Sequence, residues 1–219
     1  MYIILLAIEF LFLHLQYKSE NIDIMAKKNQ LTTSDHLKYS EYERLLECLH
    51  NDGKFMWEMY ARLSFCTACR ASDVLKFKWI DILGKSSVDV TEQKTQKTRR
   101  IPLNPSVQQK FKELYELMGR PDKKDYIFSN GNGDKPLTIQ RVNQVLKEFK
   151  FKYKLDIHNF STHTFRKTFG RYVYDQHNHS AESLLLLNKI FKHTSINITK
   201  TYIGITQEEI QSIFDSIQF

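Results

Sequence analysis

Glycine and proline are scarce in this chain, which has 7 Gly and 4 Pro among its 219 residues. Such small numbers leave little room for a loop-dominated or all-β architecture, whereas Leu, Lys, Glu and Gln recur at helical spacings. Cysteine is scarce as well, and 3 Cys are too few, and odd in number, for a disulfide framework. The composition therefore predicts a mainly helical protein of a reducing compartment, the cytoplasm.

Long hydrophobic runs are missing too. Residues 2–15 form an apolar stretch of 14 positions that contains Glu9 and His14, whereas a membrane span needs about 20 apolar residues. The stretch also lacks the basic start and the small-residue cleavage site of a secretory signal. We therefore expect neither a membrane anchor nor a membrane partner.

The first part of the chain has no single interpretation. Met25 could itself begin a protein, so residues 1–24 have three readings: a translation artefact, an interaction helix, or the stub of something longer. We expect residues 1–39 to be an N-terminal segment, apolar at its start and then polar. Residues 40–219 contain no linker and have the length of one ordinary domain, so we expect them to form one.

Basic residues outnumber acidic ones, with 32 Lys and Arg against 25 Asp and Glu and a formal net charge of +7. They are clustered, because residues 94–112 hold six bases and no acid, 141–154 hold five bases with only Glu148 opposing, and 189–202 hold three bases and no acid. An isolated Lys-rich helix would be explained by a solvated charged face. Three clusters beside the motifs described below favour contacts with nucleic-acid phosphates instead.

Hydrophobic periodicity predicts an α+β domain that is mainly helical with a small three-stranded antiparallel sheet. The strands are expected around Trp79–Ile82, at Val88 and Val90, and at Ile101 and Leu103, with turn residues between them. Helices are expected at 40–49, 54–69, 104–118, 138–149, 163–174, from 180 or 183 to 190, and 206–214, with N-caps at Ser40, Asn104, Thr138, Thr162 and either Ser180 or Ser183.

Three short segments carry side chains suited to chemistry at a phosphate. Residues 66–73, CTACRASD, place Arg70 at the end of a predicted core helix just before Asp73; residues 162–166, THTFR, space His163 and Arg166 by three; and in residues 193–202, HTSINITKTY, His193 lies nine positions before Tyr202. A lone His-x-x-Arg is more often structural, and a Tyr near a C-terminus usually belongs to the core or the surface. Their conjunction, at spacings that suit one domain, makes chance improbable.

The order and spacing of these segments resemble the catalytic domain of tyrosine recombinases, the phage integrase family. In that family an Arg precedes a Ser–Glu pair, a His-x-x-Arg opens a helix, and a His lies nine positions before the nucleophilic Tyr. Residues 93–103, QKTQKTRRIPL, also resemble the family's Lys-bearing turn before a Val-Pro-Leu strand. The resemblance runs from about residue 40 to the C-terminus, and it implies the tyrosine recombinase catalytic fold and double-stranded DNA as the partner.

The resemblance implies that Tyr202 is the nucleophile and forms a 3′-phosphotyrosyl link, while Arg70 and Arg166 stabilise the transition state. Breaking a phosphodiester without a metal requires a nucleophile, several cations or strong donors, and an acid for the leaving oxygen. A planar guanidinium that stays charged suits the two nonbridging oxygens better than a lysine would. Because the phosphotyrosyl link stores the bond energy, we expect neither a metal nor a nucleotide cofactor.

Proton transfer is implied for other residues. His163 corresponds to the proton-transfer residue beside the tyrosine, and His193 to a residue that donates to the phosphate. Lys94 would be the general acid for the 5′ oxygen, and Lys97, three positions later in the same turn, remains an alternative. Further basic residues are expected to bind DNA: Lys97, Arg99, Arg100, Arg141, Lys167, Lys192 and Lys200.

The sequence departs from the family pattern in places. Asp73 stands where Glu is commoner, and Lys192 replaces the small Gly that often precedes the second His. Cys66 and Cys69 form a lone C-x-x-C without a second pair, so we expect buried thiols instead of a zinc site.

Family members commonly carry an N-terminal helical domain that completes a clamp around DNA, and too few residues precede position 40 to form one. We therefore expect a catalytic domain alone, which binds DNA weakly and with little sequence selectivity. In the last predicted helix, Ile210, Ile213, Phe214 and Ile217 form an apolar stripe that packs either on its own domain or on a neighbouring protomer in a homo-oligomer on DNA.

Two other functions remain open at this stage. A type IB topoisomerase would share the chemistry but relax supercoils without joining two duplexes, and a noncatalytic DNA-binding remnant would keep the basic surface only. The short length and the Arg motif favour a recombinase over a topoisomerase. The intact set of motif residues argues against a remnant.

Overall fold

The helical periodicity of the sequence is realised in the computed structural model, which describes residues 34–91, 98–205, 211–212 and 214–218. Within these ranges the fold is mainly helical, with nine helices and one antiparallel pair of strands. In chain order the elements are α1 (Tyr39–Asn51), α2 (Phe55–Thr67), α3 (Ala71–Val74), α4 (Trp79–Ile82), β1 (Ser87–Thr91), β2 (Thr98–Pro102), α5 (Pro105–Leu117), α6 (Ile139–Lys152), α7 (Thr164–Gln176), α8 (Ala181–Phe191) and α9 (Ile196–Ile203).

The sheet has two strands among the described residues, so the prediction of three was wrong. β1 and β2 pair in register from Ser87 opposite Pro102 to Thr91 opposite Thr98. The expected first strand is helix α4, in which Trp79 and Ile82 are each 1% exposed while Ile80 is 49% exposed. Burial at a spacing of three is helical, since a strand buries every second residue. Asp81 secures this turn by accepting a hydrogen bond from the Lys78 N–H at 2.8 Å.

Side-chain caps start several helices where the sequence predicted them. The Asn104 side chain accepts from the Val107 N–H at 2.9 Å, Thr138 from Arg141 at 3.2 Å, and Ser180 from Ser183 at 3.2 Å. Each cap satisfies one of the first amides of its helix. Thr162 does not cap α7, which begins at Thr164 with His163 in the N-cap position.

The core is built around α2, whose Met59, Tyr60 and Leu63 are at most 1% exposed. This helix packs against α1, α5 and α7. A second buried cluster joins α7, α8 and α9 and contains Leu187, Phe191 and Ile203. It lies directly beneath the segments that carry the motif residues, and its packing therefore sets their positions.

The residues before α1 bind to the first turns of α7. Ser34 Oγ lies 3.1 Å from Thr164 Oγ1, and the Leu37 N–H donates to Thr168 Oγ1 at 3.0 Å. Leu37 itself is 1% exposed. In the part of the chain that the structure describes, no helix combines the length and the apolarity that crossing a membrane requires.

Several predictions lie outside the described residues. They concern the N-terminal segment up to residue 33, the two lysines of the hairpin turn, and most of the last helix: Lys94, Lys97, Ile210 and Ile213.

Candidate active site

The motif residues lie where helices begin or end. α2 ends at Thr67, Ala68 turns the chain with a left-handed φ of 49°, and Arg70 is the N-cap of α3. His163 is the N-cap of α7 and Arg166 follows in its first turn. α8 ends before His193, and α9 carries Tyr202 in its last turn.

Arg166 joins two of these turns. Its side chain is buried, with Nη1 donating to the Ala68 carbonyl and Nη2 donating to the Phe191 carbonyl at 2.9 Å. The guanidinium also lies over the Phe191 ring, 4.6 Å from its centroid. Burial is the main cause that lowers the pKa of Arg166, and the neighbouring charges of Arg70 and Arg99 lower it further. The guanidinium groups of Arg70, Arg99 and Arg166 are therefore close enough to influence one another.

Arg99 binds the same two turns from the sheet side. Its Nη2 donates to the Thr67 carbonyl at 3.0 Å, and its Nη1 donates to the Ile190 carbonyl at 3.3 Å. A further contact of 3.2 Å joins Nη2 to Cys69 Sγ. Its guanidinium therefore ties β2 to the residues that precede Arg70 and His193, and the expected contact of Arg99 with DNA stays a prediction.

Tyr202 lies against this group of cations. Its hydroxyl oxygen is buried and makes no hydrogen bond of normal geometry with the described residues. Burial raises the pKa of Tyr202, whereas the positive charges of Arg166 and Arg70 lower it. The ring meets the His193 ring edge-on, with centroids 5.1 Å apart, and Lys167 Nζ lies 5.1 Å from the tyrosine centroid. Without DNA the site therefore holds a neutral phenol beside two arginines.

Both histidines are neutral in this environment. Burial, followed by the charges of Arg166 and Arg70, lowers the pKa of His193 to about 4. Burial also lowers the pKa of His163, with Arg166, Lys167 and Arg70 as further causes. A neutral imidazole has one nitrogen that can accept a proton and one that donates a hydrogen bond. Each histidine can therefore either take a proton or donate to an anion near pH 7.

The sequence matches the Phage integrase family over residues 35–209. The chain belongs to this family. The resemblance read from the motifs is therefore confirmed, and the mainly helical fold with a small antiparallel sheet is the expected one.

Relatives of this phage integrase family member include "Probable integrase/recombinase YoeC" of Bacillus subtilis (strain 168), which is 32% identical over 148 residues, 68% of this chain and 77% of that protein. "Probable integrase/recombinase" of Acholeplasma phage L2 is 25% identical over 195 residues, 87% of this chain and 64% of that protein. The crystal structure of XerH site-specific recombinase in a post-cleavage complex with its palindromic difH substrate shares the fold, with a TM-score of 0.61 and 21% identity over 86% of this chain and 56% of that one.

The other basic residues of this integrase-family chain lie in different surroundings. Lys167 is 8% exposed and its Nζ donates to the Ser34 carbonyl, so its ammonium points into the fold. Arg100 is exposed on β2 and pairs with Asp89 at 2.9 Å. Arg141 is exposed at the start of α6, and its Nη1 lies 3.9 Å from Glu148 Oε1. Lys192, at the C-terminal end of α8, and Lys200, in the last turn of α9, are half-buried. DNA contact stays a prediction for all of these residues.

The turn before His193 explains why this family favours Gly there. Lys192 is the C-cap of α8 and has φ 53° and ψ 46°, a left-handed conformation that Gly adopts without steric cost. Asp73, the other departure, is 7% exposed within α3. Lys192 therefore adopts the backbone conformation that suits a Gly at this position.

Thr199 and Asn188 are site residues that the motifs did not reveal. Thr199 is fully buried on α9, and its Oγ1 lies 3.0 Å from His193 Nδ1 and 3.2 Å from Asn188 Nδ2. The available signal was spacing, because Thr199 precedes Tyr202 by three positions and so shares its helix face.

Metal-ligating side chains are not grouped in this site. Among the described residues, no three His, Cys, Asp or Glu side chains are arranged to hold a metal ion. Cys66 and Cys69 are free thiols, and burial raises the pKa of Cys66 to about 12.

Proposed function

We propose that this chain is a site-specific recombinase that cleaves and rejoins double-stranded DNA through a covalent 3′-phosphotyrosyl link to Tyr202. The observation that carries the proposal is the buried Tyr202 hydroxyl beside Arg166 and Arg70, on three separate elements. Membership of the phage integrase family supports the reaction class, and the related XerH was crystallised on its DNA substrate after cleavage.

In the attack, the Tyr202 oxygen bonds to the scissile phosphorus while its proton leaves to a base. His163 suits this role because it is neutral and shares its cationic neighbours, Arg166 and Arg70, with Tyr202. The arginine charges also favour the phenolate as it forms, since each lowers the pKa of Tyr202. Both arginines therefore ease removal of the phenolic proton.

The negative charge that builds on the phosphorane is offset by Arg70 and Arg166. A guanidinium has five N–H groups, and the two backbone carbonyls held by Arg166 use two of them. The remaining N–H groups are the ones that would donate to the nonbridging oxygens. Donors fixed before the reaction avoid a reorganisation cost in the transition state.

The 5′ oxygen leaves with a proton from Lys94 or, as the alternative, Lys97. Both lysines belong to the sequence between Thr91 and Thr98, the paired ends of β1 and β2, whose hydroxyls are 2.8 Å apart. Arg99, next to Thr98, binds the catalytic turns directly. Because the phosphotyrosyl link keeps the energy of the broken bond, rejoining by the same residues requires neither a metal nor a nucleotide cofactor.

Tyr202→Phe tests the covalent step. On a nicked suicide substrate, from which the cut strand end diffuses away, we expect the unchanged protein to form a covalent DNA adduct that survives denaturing electrophoresis. Tyr202→Phe should form no adduct. Tyr172→Phe is the matched control and should still form the adduct, because Tyr172 on α7 packs on Tyr39. An adduct with Tyr202→Phe, or none with the unchanged protein, would contradict the proposal, the latter favouring a noncatalytic DNA-binding protein.

Recombination and topoisomerase activity are separated by two further assays on the active protein. A recombinase joins strands of two duplexes that carry its site, whereas a type IB topoisomerase relaxes supercoils without such joining. We expect products of strand exchange between two sites. Relaxation with no exchange product would assign the second activity.

We further propose that the protein acts in the cytoplasm as a homo-oligomer on DNA through its C-terminal segment. Phe214 and Ile217 in that segment are 66% and 52% exposed, as an unpartnered apolar stripe would be. Removing residues 206–219 and measuring mass on DNA by light scattering should show fewer protomers per duplex. A shortened protein that is misfolded while free of DNA would instead assign the segment to its own domain.

A further inference from the structure

Thr199 makes an unusual use of its hydroxyl. Several other helical threonines of this chain donate to the carbonyl four residues earlier, including Thr67 to Leu63 at 2.6 Å, Thr168 to Thr164 at 2.9 Å and Thr201 to Asn197 at 3.0 Å. Thr199 Oγ1 instead lies 3.0 Å from His193 Nδ1 and 3.2 Å from Asn188 Nδ2. Its hydroxyl is therefore directed at the side chain of the second motif histidine.

The proton on this hydroxyl can be assigned by elimination. Thr199 is fully buried, so bulk solvent does not reach its hydroxyl. The Asn188 amide N–H donates to Oγ1, and a hydroxyl has only one proton of its own to give. The remaining neighbour that can accept this proton is His193 Nδ1. Nδ1 is then an acceptor without a proton.

A neutral imidazole whose Nδ1 accepts must carry its proton on Nε2. His193 is neutral at pH 7, and its Nε2 makes no hydrogen bond with the residues that the structure describes. This N–H is therefore available to an incoming phosphate oxygen. Asn188 and Thr199 lie on α8 and α9, the two helices that flank the turn of His193, so the chain Asn188–Thr199–His193 also fixes the ring's orientation.

We propose that Thr199 is a positioning residue that holds His193 as the Nε2–H tautomer and so makes this N–H a donor to the scissile phosphate. Only the donation from Nε2–H to the scissile phosphate rests on the proposed function. The tautomer itself is a property of the DNA-free protein, which makes the two separable by experiment.

The tautomer can be read by nitrogen NMR on the whole chain labelled with 15N-histidine at pH 7, because a bare imidazole nitrogen resonates far downfield of a protonated one. The His193 signals are assigned by their loss in His193→Gln. We expect a bare Nδ1 and a protonated Nε2. In Thr199→Val, which keeps the shape but removes the hydroxyl, a fraction of His193 should carry its proton on Nδ1, while Thr199→Ser should match the unchanged protein.

Cleavage of the suicide substrate should follow the tautomer. Loss of one positioning hydrogen bond predicts about five- to tenfold slower adduct formation in Thr199→Val and near-normal rates in Thr199→Ser. Thr201→Val is the matched control on the same helix, because its hydroxyl binds only a backbone carbonyl, and it should leave both readings unchanged.

A protonated Nδ1 in the unchanged protein would overturn the proposal, whatever the variants do. So would a Thr199→Val spectrum and cleavage rate equal to those of the unchanged protein. If the tautomer shifts as expected but neither the unchanged protein nor any variant forms an adduct, then the positioning of the ring stands and the proposed covalent chemistry fails.

Discussion

Arg166 illustrates how one residue serves both the fold and the reaction. Its two terminal nitrogens bind the Ala68 and Phe191 carbonyls at the same time, on the turns that lead to Arg70 and His193. A lysine ammonium is a single point and cannot reach both carbonyls in this geometry. A conservative change of charge at this position is therefore not conservative in structure.

Arg166→Lys should slow adduct formation by about 10²–10³-fold, the usual cost of removing a fixed donor to a developing oxyanion, and should also lower the midpoint of thermal unfolding. Single-turnover cleavage and calorimetry on the same samples measure the two effects. Arg171→Lys is the matched control, since Arg171 lies one turn later on α7 and pairs with Asp175 at 3.0 Å. Equal losses in both variants would mean that the site does not depend on the two carbonyl contacts.

The two site histidines predict how stability changes with pH. Burial and nearby arginines lower the pKa of His193 to about 4, and lower the pKa of His163, from an ordinary value of 6.5. Between pH 6.5 and about 4 the unfolded chain therefore binds a proton at His193 that the folded protein does not, and the lowered pKa of His163 acts in the same direction below pH 6.5, so stability falls as pH falls. Denaturant unfolding at several pH values should show this slope, reduced by about one proton in His193→Gln. A slope unchanged in that variant would show that His193 titrates normally in the folded protein.

Gly170 is a residue of α7 at which side chains of α8 and α9 approach the helix closely. A Cβ added there would lie 2.6 Å from Ile203 Cγ2 and 2.8 Å from Phe191 Cζ, both too close. Ile203 follows Tyr202 on α9, and the Phe191 ring contacts the tyrosine ring, with centroids 5.3 Å apart. The absence of a side chain at Gly170 therefore lets α9 carry the nucleophile against α7 and α8.

Gly170→Ala should destabilise the protein by about 1–3 kcal/mol through overpacking, although Ala normally stabilises a helix interior by about 1 kcal/mol relative to Gly. Because the displaced atoms flank Tyr202, adduct formation should fall under conditions where the variant remains folded. Denaturant unfolding and single-turnover cleavage check both effects, and Ile203→Ala in the same chain should restore part of the rate by making room. A variant that is more stable than the unchanged protein would show that α9 accommodates the methyl group without cost.

The sequence predicted those elements whose signals are local. Asn104, Thr138 and Ser180 mark helix starts because the cap and its partner amide lie three residues apart. Trp79–Ile82 was misread as a strand because four residues are too short to show a period, and the helix is fixed by long-range bonds, such as that from the Ile80 N–H to the Lys123 carbonyl at 2.8 Å. The partners of Arg99 were missed for the same reason, since Thr67 and Ile190 are distant from it in sequence.

Across the whole molecule, the basic residues fall into two groups with different partners. Arg99, Arg166 and Lys167 bind backbone carbonyls inside the domain, whereas Arg141 is exposed on α6 with a weak partner at 3.9 Å. The net charge of +7 counts both kinds equally. Only exposed basic residues release counterions from DNA when the protein binds, so the salt dependence of DNA affinity distinguishes them from the buried ones.

The logarithm of the affinity for duplex DNA should fall linearly with the logarithm of the salt concentration, because each phosphate contact releases counterions. Arg141→Gln should weaken binding to all duplexes alike and reduce the salt slope by about one.

Arg99→Gln should leave that slope unchanged, because its guanidinium binds the Thr67 and Ile190 carbonyls, yet it should slow adduct formation by loosening the turns that carry Arg70 and His193. Fluorescence anisotropy across a salt series measures the slopes. Nanomolar binding to one duplex that is insensitive to salt would contradict phosphate contact as the main source of affinity, and a reduced slope in Arg99→Gln would move that residue to the DNA-contacting set.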